Sequence, residues 1–153
     1  MKTNCDWRKN VRNIYIDTGV LSNYFSSARA ASVKALMDEI RDGKSRGYIL
    51  KPVLVEVFYH ICSDAGLQAA NAQVVNFIRN FPIVLVDIDE PLILHAGKLK
   101  CQHAAVLSYI DCMSIAYCLR ENIEFHTTEK LLKAIPHNTL QRLRVIKHSW
   151  SDQ

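Results

Sequence analysis

Apolar residues along this chain fall into two alternating rhythms. Short runs rich in β-branched and aromatic side chains, at residues 14–16, 48–50, 83–86, 124–127 and 143–146, predict strands too short and too continuous to be helices. Between them the period lengthens. Within 28–42, Val33, Leu36, Met37 and Ile40 repeat at i, i+3, i+4 and i+7, one face of an amphipathic helix that Gly43 ends. Pro52 suits the first turn of the next helix, which runs through VLVEVFYHICSDA to Gly66. A helix over 67–80 is expected to turn Val74, Val75 and Ile78 inward. The segment DIDEP breaks the chain before a helix over 91–102, Ser108 opens another through SYIDCMSIAYCLREN, and a short helix over 128–135 stops at Pro136. Strands alternating with helices at this pitch predict parallel βαβ units. The expected fold is α/β: a three-layer α/β/α sandwich around a central parallel sheet of four to five strands, one domain over 1–153 with its core at about 13–147.

Composition narrows the setting. A chain of 153 residues with 49% hydrophobic and 22% charged residues can bury a core without staples. Its five cysteines, Cys5, Cys62, Cys101, Cys112 and Cys118, are odd in number and form no CxxC pair, so neither a disulfide framework nor a zinc ribbon is suggested. The start lacks an apolar leader core and no run is long enough to cross a bilayer, so a soluble, cytoplasmic protein with no membrane partner is expected. The net charge is +4. Lys2, Arg8, Lys9 and Arg12 crowd the first twelve residues, and Arg142, Arg144 and Lys147 form a second cluster. Such patches can track a phosphate backbone, although a charge this modest also suits an ordinary solvated surface.

Four carboxylates stand where this topology places functional groups. In NIYIDTGVLSN the first strand ends at Asp17, Thr18 can cap the following helix, and Gly19 lets the backbone turn. Glu56 is the one charge in VLVEVFYHI, Asp111 lies in the first turn after Ser108, and Glu129 follows the strand that ends at Thr127. Helices of βαβ units run against their strands, so helix starts and strand ends share one sheet edge, and all four acids reach it. Each also has a plain explanation: a turn Asp at 17, an outward Glu at 56, an S-x-x-D capping box at 108–111, and a dipole-favoured Glu at 129. Together they are harder to dismiss. Two carboxylates ~4 Å apart repel by about 4 kcal/mol at an effective dielectric of ~20. Oxygen-only clusters suit Mg²⁺ or Mn²⁺, and paired ions are used for in-line attack on phosphate.

Taken in order, IDTGVLSNYF with Asp17, Glu56 in its apolar helix, LSYIDCMSIAYCLRE with Asp111, and FHTTEKLL with Glu129 resemble the PIN domain, in particular its small single-domain toxins of the VapC type. The resemblance spans residues 13–147. It implies a Mg²⁺- or Mn²⁺-dependent ribonuclease, usually a homodimer and often restrained by an antitoxin. By motif match Asp17, Glu56 and Asp111 are its metal-binding core, Glu129 fills the fourth acidic place, and Thr127 and Thr18 support them. Gly19 departs from the Asn or Ser common there, Glu129 from the commoner Asp, so that it can reach metal through water, and Cys112 from a small residue such as Ala, where it reads as a small buried hydrophobe. The rival reading is a catalytically inactive PIN-like module that binds RNA or a protein and keeps the acids as caps and turns. The six histidines show no HxH or HExxH spacing, no phosphate-binding glycine loop is present, and Tyr24, Tyr59 and Tyr109 near the acids can stack a base or simply pack.

Overall fold

The computed structural model describes residues 11–150. Lys2, Arg8, Lys9 and Cys5 lie outside them. In chain order the elements are β1 (Arg12–Ile16), α1 (Thr18–Phe25), α2 (Ala31–Arg41), β2 (Ser45–Leu50), α3 (Lys51–Ala65), α4 (Leu67–Asn80), β3 (Ile83–Val86), α5 (Glu90–Gln102), α6 (Tyr109–Glu121), β4 (Glu124–Thr127), a 3-10 turn (Leu131–Ala134), α7 (His137–Leu140) and β5 (Val145–Lys147).

Five strands form one sheet in the order β3-β2-β1-β4-β5, and every pairing is parallel. β1 sits in the middle, which is why Ile14, Tyr15 and Ile16 are all fully buried. Tyr15 can be buried because its hydroxyl shares a 2.7 Å hydrogen bond with the buried Ser114 on α6. Helix α1 packs on both α2 and α3, α3 on α4, and α5 on α6, giving the expected three-layer α/β/α sandwich. From β1 the chain moves outward through β2 to β3, then returns to lay β4 on the other side of β1. The order therefore reverses between β1 and β4, and a crevice opens at the carboxyl ends of those two strands.

Several local expectations shift. The predicted face of α2 is buried, with Val33, Leu36, Met37 and Ile40 all inward, but the helix starts at Ala31 rather than 28. On α4 the inward residues are Ala70, Val74 and Phe77, whereas Val75 and Ile78 are exposed. The correct stripe runs i, i+4, i+7, one residue away from the face first read, and Phe77 anchors it by stacking on Phe81. Pro136, which has no N–H to give, separates two short pieces: a 3-10 turn before it and α7, which it caps, after it. β5 starts two residues later than the apolar run suggested. Gly43 and Gly66 adopt φ of +74° and +87° at their helix ends, conformations that Cβ-bearing residues avoid.

Candidate active site

β1 ends at Asp17, whose backbone N–H still donates to His126 O of β4 at 3.0 Å. The next residue is helical, so the Asp17 side chain is left at the crevice where the strand order reverses. Its Oδ2 accepts from the Thr127 hydroxyl at the end of β4 at 2.8 Å. Oδ1 is buried and has no hydrogen-bond partner among the described residues. Only 4% of the residue is exposed. Burial pushes the Asp17 carboxyl up to about 7; the charges of Asp111 and Glu56 add to this, and the Thr127 hydroxyl and Thr18 amide pull against it. A buried carboxylate oxygen with nothing to bond is expensive, and such groups in folded proteins ask for an explanation.

The other acids are held by the elements that meet at this edge. Thr18 opens α1, and its hydroxyl donates to Glu56 Oε2 on α3 at 2.8 Å, so Thr18 ties two helices together and does not cap its own, which starts from Asp17. Glu56 is half-buried, turned toward α1 and not outward. Asp111 is half-buried in the first turn of α6 and completes a capping box: Ser108 N–H donates to Asp111 Oδ2 at 2.9 Å, and Asp111 N–H to Ser108 Oγ at 3.0 Å. The expected capping role of Asp111 is thus present, and its charge also raises the pKa of Asp17. Glu129 joins through its backbone, its N–H donating to Thr127 Oγ1 at 2.9 Å. The Thr127 hydroxyl is therefore oriented from behind by the Glu129 amide so that its proton points at Asp17. Away from this edge, surface ion pairs include Arg12–Glu39, Lys34–Asp38 and Arg120–Asp89.

Gly19 has an ordinary backbone conformation; its role is close approach, because a Cβ there would collide with the Thr128 hydroxyl. Cys112 is 1% exposed, as expected of a small hydrophobe, and burial raises its thiol pKa. The basic cluster near the end divides. Lys147 pairs in register with Thr127 at the site edge, whereas Arg144 precedes β5 and donates to Asn122 O at the opposite edge, and the charge of Arg142 is felt at His95 of α5.

Some contributors were not singled out in the sequence. Ser22 and His60 stand one turn beyond Thr18 and Glu56 and share a 2.7 Å hydrogen bond, a second rung between α1 and α3 that the i, i+4 spacing already encoded. Asn23 is completely buried; it donates to Trp150 O at 2.9 Å and accepts from Ala30 N–H at 2.9 Å, which brackets the end of the described chain against α1. Lys130 and Lys133 line a hollow beside Glu129.

The PIN domain model matches residues 14–138, most of the chain. This chain belongs to the PIN domain family. The matched span thus runs from within β1 into the start of α7 and includes the positions of all four acids. A comparison with curated proteins gives no match. Among solved structures the fold is similar to VapBC2 from Rickettsia felis bound to a DNA fragment from its promoter, with a TM-score of 0.66, 15% identity, and 88% of this chain and 98% of that one covered. It is similar also to the DNA-bound VapBC of Salmonella typhimurium, at a TM-score of 0.65, 16% identity and coverage of 92% and 99%. A third is VapC20 of Mycobacterium tuberculosis, described as a Sarcin-Ricin loop cleaving toxin, at a TM-score of 0.62, 17% identity and coverage of 79% and 94%. At these identities the likeness is one of fold.

No three His, Cys, Asp or Glu side chains among the described residues are gathered closely enough to hold one ion by themselves. The donor set at the crevice is nevertheless all oxygen, and Asp17 Oδ1 is a buried carboxyl oxygen without a hydrogen-bond partner among the described residues. That combination fits a small hard cation that keeps several waters and takes only one or two carboxylates, the habit of Mg²⁺.

Proposed function

We propose that this PIN domain is a Mg²⁺- or Mn²⁺-dependent endoribonuclease, the toxin of a toxin–antitoxin pair. The observation that carries the reading is Asp17: buried at the point where the strand order reverses, within the fields of Asp111 and Glu56, with one carboxylate oxygen unpartnered. Asp17, Glu56 and Asp111 would form the metal-binding core, one or two of them bonded to the ion itself and the rest, with Glu129, held to it through its waters. When bound, the ion supplies Lewis-acid polarisation of the scissile phosphate and acidifies water at neutral pH. The chain's own groups fix the geometry: Thr127 aims Asp17, the Glu129 amide aims Thr127, and Thr18 holds Glu56. RNA as substrate is supported by the description of VapC20, and an antitoxin partner by the VapBC complexes. A homodimer working in the cytoplasm completes the proposal; no helix of the described residues is long and apolar enough to cross a membrane.

The inactive-module reading keeps one specific support, the capping box that accounts for Asp111 without a ligand. Cleavage decides between them. Purified protein is expected to cut single-stranded RNA in Mg²⁺ or Mn²⁺ and to stop in EDTA, and Asp17→Asn to be inactive. Thr127→Val leaves the carboxylate in place but loses its orienting donor, so cleavage should fall by roughly 10- to 100-fold. Undiminished cutting in EDTA, or full activity of Asp17→Asn, rejects the proposed chemistry.

A further inference from the structure

Trp150 lines two hollows, one that includes Glu129 and one that runs along α1 and α3. One, of about 940 Å³, is bounded by Thr128, Glu129, Lys130, Lys133, Lys147 and Trp150. Its wall continues directly from Asp17, through Thr127 to Glu129 and from Thr127 to its register partner Lys147. Among the described residues no ion pair ties down Lys130, Lys133 or Lys147, all of which are exposed, so three cations face one carboxylate. The other hollow, of about 790 Å³, lies along α1 and α3 and is bounded by Ser22, Tyr59, His60 and the same Trp150. Ser22 and His60 are one helical turn, about 6 Å, beyond Thr18 and Glu56. Trp150 is 52% exposed and Tyr59 67%, a poor use of aromatic surface for packing. The Trp150 backbone is nonetheless fixed, because Asn23 donates to its carbonyl.

We infer that Trp150 is the stacking platform on which single-stranded RNA lays one base while Lys130, Lys133 and Lys147 take the adjoining phosphates. The inference rests on the ribonuclease reading and adds the path of the strand to it. A cationic channel interleaved with exposed aromatic faces is how proteins hold single strands without reading their sequence. A duplex keeps its bases stacked inside and offers no free face to Trp150. The ring on this platform therefore favours unpaired substrate.

The test uses the intrinsic indole signal. The chain has two tryptophans, Trp7 and Trp150, so Trp7→Phe leaves Trp150 as the sole reporter. In EDTA, where no cleavage is expected, a short single-stranded oligoribonucleotide of mixed sequence should quench its emission, and the same strand annealed to its complement should not. Trp150→Ala should weaken single-strand affinity about tenfold or more, and Trp150→Phe, which keeps a ring, should restore most of it. The Asn23 bracket contacts only the Trp150 backbone, so these variants retain it. Replacing Lys130, Lys133 and Lys147 together by Gln should reduce the slope of log affinity against log salt by about 2, at ~0.7 per phosphate released. RNA that binds with silent emission and unchanged affinity in Trp150→Ala overturns the inference and leaves the ribonuclease reading standing if cutting persists. Wild type that neither binds nor cuts RNA removes the ribonuclease reading and the inference with it.

Discussion

A single carboxylate concentrates the tension in this molecule. Asp17 has a folded-state pKa raised to about 7 against an ordinary value of 3.8, chiefly by burial. Between those values the folded protein holds a proton that the unfolded chain has released, so the stability of the metal-free protein falls as pH rises from about 4 to about 7 and is flat above. The size is on the order of 4 kcal/mol at most. Asp17→Asn has no charge to bury, and the fall should be largely gone when chemical denaturation in EDTA is followed across that range. A mutant with the wild-type pH dependence would place the titrating group elsewhere. The sequence showed that Asp17 ends a strand, because the apolar run stops there. It did not show that Asp17 would be 4% exposed, since that depends on β4, which arrives more than a hundred residues later and brings Thr127 against it.

At the scale of elements, α1 is placed by two contacts that behave differently in sequence. The Thr18–Glu56 and Ser22–His60 rungs repeat with helical spacing and so leave a trace in the chain. The packing of Gly19 on Thr128 leaves none: the glycine looks like a turn residue, yet its backbone is unstrained and its lack of a Cβ is what lets α1 approach the loop after β4. Gly19→Ala should therefore cost roughly 1–3 kcal/mol by overpacking, even though alanine is the better helix former. Thr128→Ala removes the opposing hydroxyl, and the double mutant should recover much of the loss, a coupling that a thermodynamic cycle measures. Additive single effects would mean that the two residues do not meet. The misread face of α4 has a similar origin. Val75 and Ile78 fit a helical stripe as well as Ala70, Val74 and Phe77 do, and only the aromatic partner Phe81, beyond the helix end, chooses between them.

For the whole molecule, the sheet order decides what the acids do, because the reversal between β1 and β4 gathers groups that begin 94 residues apart, from Asp17 to Asp111, at one crevice. A ligand held there bridges elements from both halves of the chain and binds only the folded state, so its binding energy becomes stability of the entire domain. Mg²⁺ at 100 times its dissociation constant should add about 2.7 kcal/mol, or roughly 5–10 °C in Tm for a chain of this size. Asp111 separates the metal reading from the capping one. In EDTA, Asp111→Asn keeps an acceptor for Ser108 N–H and loses a favourable charge at the α6 terminus, a cost of roughly 0.3–1 kcal/mol, while relieving repulsion on Asp17. The two effects oppose each other, so the metal-free mutant should melt within a few degrees of wild type. In Mg²⁺ the outcomes part. If Asp111 helps to hold the ion, the mutant loses most of the upward shift that wild type gains. If it serves only α6, the mutant rises by the full amount, and the site contracts to Asp17 and Glu56.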